Sequence, residues 1–246
     1  RDGRYEFDLD ALQRAFDDGG GLLLLCNPYN PVGRVFSRDE LVAISEVVER
    51  NGGRVFSDEI WAPLVYGGST HTPYATVSPA AAQHTITAMS ASKAWNLPGL
   101  KCAQLVLTSD ADRETWEKLG PFAGHGTSNL GAIANATAYR EGDPWLADLV
   151  PYLEQNRDTL LDLLAEEIPG AWMPKPEGTY VGWIDFRAVG LGDRPADFFT
   201  RGAGVTLTEG SMCGVAGTGF TRLIFATPRP ILEQIVRRLG QAVRSV

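Results

Sequence analysis

The sequence predicts an α/β fold, and three observations carry that expectation. Apolar strand-like runs alternate with amphipathic helical patterns over most of the chain. Between Gly21 and Asp58 a strand, a Pro/Asn-rich turn, a capped helix and a second strand follow in order. Strands joined by such a crossover lie parallel, because a chain needs that length to return and start again in the same direction. Third, three chemistry-bearing segments each fall just behind a strand, where open α/β sheets bind their ligands. The composition agrees. Of 246 residues, 44% are apolar and 21% charged, enough for a real core and unlike a disordered or collagen-like chain.

Residues 8–16 form a short amphipathic pattern, stopped by Asp17-Asp18-Gly19-Gly20. Gly21 to Cys26 is apolar throughout, as expected of a strand covered on both faces. The turn Asn27-Pro28-Tyr29-Asn30-Pro31-Val32-Gly33 follows. Ser37 and Glu40 have the spacing of a capping box and open a helix to about Asn51. Residues 54–58 are the next strand. Residues 85–89 and 102–108 read as two further buried strands flanking the segment 90–100. Helical patterns cover about 110–118, 129–141 and 144–167. Beyond these the composition changes, with strands at 180–186 and 221–225 and helices near 195–201 and 230–246. The expected division is a large domain, residues 1–149, and a smaller α+β domain, residues 150–246, bridged by the helix at about 144–167.

Charge and motifs narrow the function. Lys plus Arg is 22 and Asp plus Glu is 30, a net charge of −8 without a basic cluster, so nucleic acid is disfavoured. Arg237 and Arg238 read as a solvated helix face. The longest aliphatic run, Leu22 to Cys26, falls far short of the ~20 residues a bilayer requires, and no signal-peptide pattern opens the given residues. Cys26, Cys102 and Cys213 are odd in number and far apart, which suggests a reducing, cytoplasmic setting without disulfides. His71, His84 and His125 form no metal motif, so no metal is expected. No G-x-G-x-x-G or P-loop follows a strand, and Gly210-Ser211-Met212-Cys213-Gly214 has its serine one place early for a nucleophile elbow.

What remains are Asn30, Asp58 and Ser90-Ala91-Ser92-Lys93. Read together, Asn27-Pro28-Tyr29-Asn30-Pro31-Val32-Gly33, Asp58-Glu59-Ile60, Ser92-Lys93-Ala94-Trp95-Asn96-Leu97-Pro98-Gly99-Leu100 and Phe220-Thr221-Arg222-Leu223 resemble the motif order of the fold-type I, pyridoxal-phosphate-dependent class I/II aminotransferase superfamily. The nearer resemblance is to its cystathionine β-lyase, or C–S lyase, branch. It implies an aminotransferase-like large domain with a mostly parallel sheet, incomplete at the N-terminus, plus the small domain. The implied cofactor is pyridoxal 5′-phosphate.

In that resemblance Lys93 bonds the cofactor aldehyde and later moves the substrate Cα proton. Asp58 pairs with the ring nitrogen and Asn30 with the ring oxygen. Ser90 and Ser92 hold the phosphate, Ser90 being the better match, and Lys101 stands where an arginine often helps them. Arg222 takes the substrate α-carboxylate, since its planar guanidinium matches a carboxylate with two hydrogen bonds. Lying in a largely buried strand, Arg222 should have a partner. Two departures stand out. Trp61 replaces the His or Tyr common after the aspartate, and it cannot accept a hydrogen bond. Cys213-Gly214 replaces a common Phe-Gly.

The resemblance implies β-elimination from a sulfur-containing amino acid, with transamination as the alternative and a non-catalytic regulatory role as a third reading. It also implies a homodimer acting on a small amino-acid substrate, with no nucleic-acid or membrane partner. The chain is expected to be truncated at its N-terminus, to carry the lysine half of the site, and alone to bind the cofactor poorly.

Overall fold

The structure, a computed structural model, describes residues 3–245. Arg1, Asp2 and Val246, where the last predicted helix was to end, lie outside the described residues. The chain divides into two compact units, one of residues 6–28 and 35–148, the other of residues 3–5, 29–34 and 149–245.

The first unit begins with α1 (Leu9–Asp17), β1 (Leu22–Cys26), α2 (Arg38–Arg50) and β2 (Arg54–Asp58). It continues with α3 (Pro79–His84), β3 (Thr85–Met89), β4 (Gln104–Leu107), α4 (Asp110–Ala123), α5 (Asn129–Glu141) and the start of α6 (Asp143–Glu167). Capping side chains set where several helices start. Asp8 accepts from the Ala11 amide, and the predicted capping box forms in both directions between Ser37 and Glu40. Such caps satisfy amides that have no partner inside the helix, at about 1 kcal/mol each.

The sheet runs β1-β2-β3-β4, with the first three strands parallel and β4 antiparallel to β3. One face is closed. Leu25 and Val55 pack there with Leu12 and Phe16 of α1, Leu41, Ile44 and Val48 of α2, and Ala81 of α3. The other face corrects the expectation for β1. Leu22 is 58% and Leu24 73% exposed, because β1 is an edge strand and the helices packed on it cover only the Leu23/Leu25 side. Among the described residues nothing covers the Leu22/Leu24 side of this all-apolar run. A second correction concerns residues 102–108. The strand is shorter than expected, and Leu105 and Val106 are exposed, since β4 closes the opposite edge of the sheet. Helix α4 also runs five residues beyond its predicted end, to Ala123.

The second unit holds the rest of α6 with β5 (Val181–Asp185), α7 (Pro195–Gly202), β6 (Thr208–Glu209), β7 (Phe220–Ile224) and α8 (Arg229–Val243). Its antiparallel sheet has the order β5-β7-β6. The two-residue β6 is too short to leave a periodic signal. The chain passes between units inside α6, at residues 148 and 149.

The loop 29–34, placed by its sequence position in the large domain, groups with the second unit instead, for local reasons. Arg34 is buried, donates to Glu177 at 2.7 Å and to the Tyr5 carbonyl at 2.8 Å. The Gly33 carbonyl accepts from the amides of Glu177 and Gly178. Gly33 has φ +74°, and an added Cβ would overlap Pro176, so both its backbone and its neighbours require glycine.

Candidate active site

In the first unit, the carboxyl ends of the parallel strands are aligned. Cys26 pairs in register with Asp58, and Asp58 with Ala88. Asp58 ends β2, and its carboxylate accepts the Ile60 amide at 3.2 Å. Burial pushes the Asp58 carboxyl above the usual aspartate range. The Ile60 amide and the Lys93 ammonium act against that rise, and neighbouring Glu59 adds to it. Burial thus outweighs the help that the carboxylate receives from the Ile60 amide and Lys93.

Lys93 lies in a turn directly behind β3, tightened by hydrogen bonds from the Trp95 amide to the Ala91 carbonyl and from the Leu97 amide to that of Ser92. Its ammonium stands 5.3 Å from the centroid of the Trp61 ring, and it forms no ion pair among the described residues. The turn is pinned from outside. Asn135 of α5 accepts the Ala91 amide at 2.7 Å. The Trp145 indole donates to the Ala94 carbonyl, and the Trp95 indole to that of Gly142, each at 3.0 Å. Gly142 admits no Cβ, which would overlap that indole nitrogen.

The two serines differ. Ser90 is buried, donates its hydroxyl proton to the Cys102 carbonyl at 2.7 Å and accepts the Ser92 amide at 3.0 Å. The Ser92 hydroxyl makes no hydrogen bond among the described residues. Lys101 is exposed and left-handed, with φ +52°.

Behind this edge lies a buried carboxylate that the sequence reading does not single out. Glu59 is 1% exposed. Its Oε1 accepts from the Ser57 hydroxyl at 2.8 Å and the Tyr74 amide at 2.9 Å, and its Oε2 lies 3.0 Å from His71 Nε2. Glu59 thus ties β2 to the segment that returns 12 to 15 residues later.

In the second unit, Arg222 sits on β7 in register with Trp183 and Thr208, so the three share one sheet face. Trp183 stacks on Phe220 at 5.2 Å beside it. Arg222 is half-buried, and its partner is not a carboxylate. Nη1 donates to Asn30 Oδ1 at 3.4 Å, while Nε is buried with no hydrogen-bond partner. An unsatisfied buried donor is costly, and a planar guanidinium in that state has hydrogen-bonding capacity left over.

Of the residues expected at the site, the structure thus groups Asp58, Ser90, Ser92 and Lys93 at one strand edge of the first unit, and Asn30 with Arg222 in the second. Lys101 stands at the surface. Among the described residues no His/Cys/Asp/Glu group could hold a metal ion, and no helix is long and apolar enough to cross a membrane.

A family model, Aminotransferase class I and II, matches residues 2–239. The chain belongs to this family. Within it, the chain is 39% identical over 242 residues to a cystathionine beta-lyase of Corynebacterium glutamicum, covering 97% of this chain and 64% of that protein. It is 34% identical over 247 residues to a cystathionine beta-lyase of Bacillus subtilis, covering 99% and 64%. Among solved structures, cystalysin from Treponema denticola, which contains a pyridoxal 5′-phosphate cofactor, superposes with a TM-score of 0.94 at 30% identity, over all of this chain and 63% of that one. This family member thus spans about 64% of the length of these curated relatives.

Glu59, Asn135 and Trp145 are the site-supporting residues that sequence reasoning passes over. Glu59 sits inside the quoted Asp-Glu-Ile, but a glutamate beside an aspartate reads as solvated until its partners are seen. Asn135 lies 44 residues from the amide it holds, and spacing carries no signal for that.

Proposed function

We propose that these residues form the lysine-bearing part of a pyridoxal-phosphate-dependent carbon–sulfur lyase acting on a sulfur-containing amino acid. The observation that carries the reading is Lys93, whose ammonium forms no ion pair among the described residues and acts electrostatically on the partly buried Asp58 carboxyl at the neighbouring strand end. The cystathionine beta-lyases among the relatives favour the lyase outcome.

The chemistry of the donors, taken unit by unit, fits the cofactor. Lys93 would bond its aldehyde carbon, Asp58 would hold the proton on its ring nitrogen, and Asn30 would meet its ring oxygen. Ser92, whose hydroxyl is uncommitted, would take the phosphate with Lys101. Ser90 would act mainly by shaping the turn, since its proton is given to Cys102. When bound, pyridoxal phosphate supplies an electron sink for the pair released at the substrate Cα.

The chain's own residues do the remainder. Arg222 clamps the substrate α-carboxylate through its free Nε and a terminal nitrogen, which fixes the Cα–H direction. Lys93, when its amine is free, would take the Cα proton. The Asp58 carboxylate would hold the proton on the ring nitrogen, and that pairing would offset the cost of its partial burial. A thiolate then leaves Cβ, and water converts the remaining fragment to pyruvate and ammonia. A homodimer belongs to the same reading, supported by the exposed Leu119, Phe122, Leu130 and Ile133 of α4 and α5.

The test is to supply cystathionine to the full-length protein and measure pyruvate. Stoichiometric pyruvate is expected. Amino-group exchange with a keto acid, without pyruvate, would replace the lyase by a transaminase. Neither product would support the non-catalytic reading.

A further inference from the structure

Trp61 stands three residues after Asp58, is 3% exposed, and presents its ring to the Lys93 ammonium at 5.3 Å. The sequence marks it as a departure, because an indole cannot accept the hydrogen bond that His or Tyr could. The structure gives the position a different task. Lys93 is half-buried, and no carboxylate lies within ion-pair distance of it among the described residues. The face of an indole carries negative charge density and attracts a cation, while its apolar body keeps water away. Trp61 is itself well placed to be rigid. Its carbonyl accepts the Leu64 amide, and the Glu59 carboxylate anchors the same segment at both ends.

We propose that Trp61 is a positioning residue that seats the Lys93 ammonium, fixing where this long, four-carbon side chain places its amine whenever it is not covalently engaged. A free lysine samples many rotamers, and a seat on one ring face selects few of them. The use of that seat rests on the function proposed above. There the free Lys93 amine must stay close to the substrate Cα, which a seat on the indole provides without a carboxylate at ion-pair distance. An acid at that place would bind the ammonium more tightly and hold it back from proton transfer. The indole holds it more lightly.

Two measurements on the full-length protein without cofactor test the seat directly. The first is tryptophan emission of Lys93→Met in two backgrounds. The substitution should change the emission of the wild-type chain, and the change should vanish when Trp61→Phe is also present. A change of equal size in both backgrounds would overturn the proposal. The second is acylation with a succinimidyl acetate, read by peptide mass spectrometry at Lys93 and normalised to exposed Lys118. Trp61→Ala should raise the Lys93 rate about threefold or more, with Trp61→Phe, which keeps a ring face, within about twofold of wild type. Equal rates in wild type and Trp61→Ala would also overturn it. If Trp61→Ala fails to fold, the emission measurement decides alone. Because neither readout involves the cofactor, loss of the seat and loss of the cofactor reading are separable. The latter fails only if pyridoxal phosphate does not react at Lys93.

Discussion

Arg222 Nη1 meets Asn30 Oδ1 at 3.4 Å while the Nε of the same guanidinium is buried without a partner. A long contact to a neutral amide is a weak anchor for a charge, so the side chain is held in place but left unsatisfied. That state is what the proposed role as a carboxylate clamp requires.

Arg222→Met in the full-length protein should therefore raise the KM for the amino-acid substrate by about 10- to 100-fold, from the loss of charge-assisted hydrogen bonds worth ~1.5–3 kcal/mol. Thermal stability should stay level or rise, since no intramolecular ion pair is lost. Unfolding and steady-state kinetics check both halves. A large loss of stability with KM unchanged would make Arg222 structural.

Asp58 gives a prediction whose sign follows from its raised carboxyl. With the folded value above the unfolded one, the native state holds more protons between the two, so stability falls as pH rises through that window and stays lower above it. Asp58→Asn removes that cost. Melting at pH 7 should rise by about 1–3 °C, the gain should fade in acid below the ordinary aspartate value, and activity should be lost. A melting temperature that falls at pH 7 contradicts the burial argument.

Glu59 should behave in the opposite way. Replacement by Ala leaves the Ser57 hydroxyl and the Tyr74 amide buried without their acceptor, at a cost of about 2–4 kcal/mol, or roughly 5–12 °C for a chain of this size. Glu59→Gln keeps an acceptor and should cost less than half as much. Thermal melts of the two variants give the comparison, and equal losses would show that the charge, not the acceptor, matters.

His84 supplies a pH dependence away from the site. Burial first, and Arg54 second, hold its imidazole below the usual histidine range, and its Nε2 lies 3.1 Å from the Tyr74 hydroxyl. The folded state favours neutral His84, so stability present above the unfolded value of ~6.5 is lost as pH falls below it toward the folded value. His84→Gln should therefore reduce the drop in melting temperature between pH 7 and pH 5. An undiminished drop would assign it to other groups.

Much of this was legible in the sequence because the signals were local. The capping box at Ser37 and Glu40, the strand Arg54–Asp58 and the helix Asn129–Glu141 depend on spacing within one element, and they form as expected. The placement of Asp58 and Lys93 at strand ends was legible because Asp58 closes β2 and Lys93 lies just behind β3. What escaped depends on neighbours distant in the chain. Whether Leu24 is covered is decided by what packs on β1, and the loop 29–34 goes with the second unit because Glu177 holds Arg34 across 143 residues. The commitment of the Ser90 hydroxyl to Cys102 is of the same kind, since the register of β4 settles it.

The most direct test of the account is where pyridoxal phosphate reacts. The chain has four lysines, Lys93, Lys101, Lys118 and Lys175. Incubation with a stoichiometric amount of the cofactor, borohydride reduction and peptide mass spectrometry report which of them carries it. The account predicts the label on Lys93 ahead of the other three, and its loss from that peptide in Lys93→Ala. Label spread over Lys101, Lys118 and Lys175 with Lys93 untouched would contradict it.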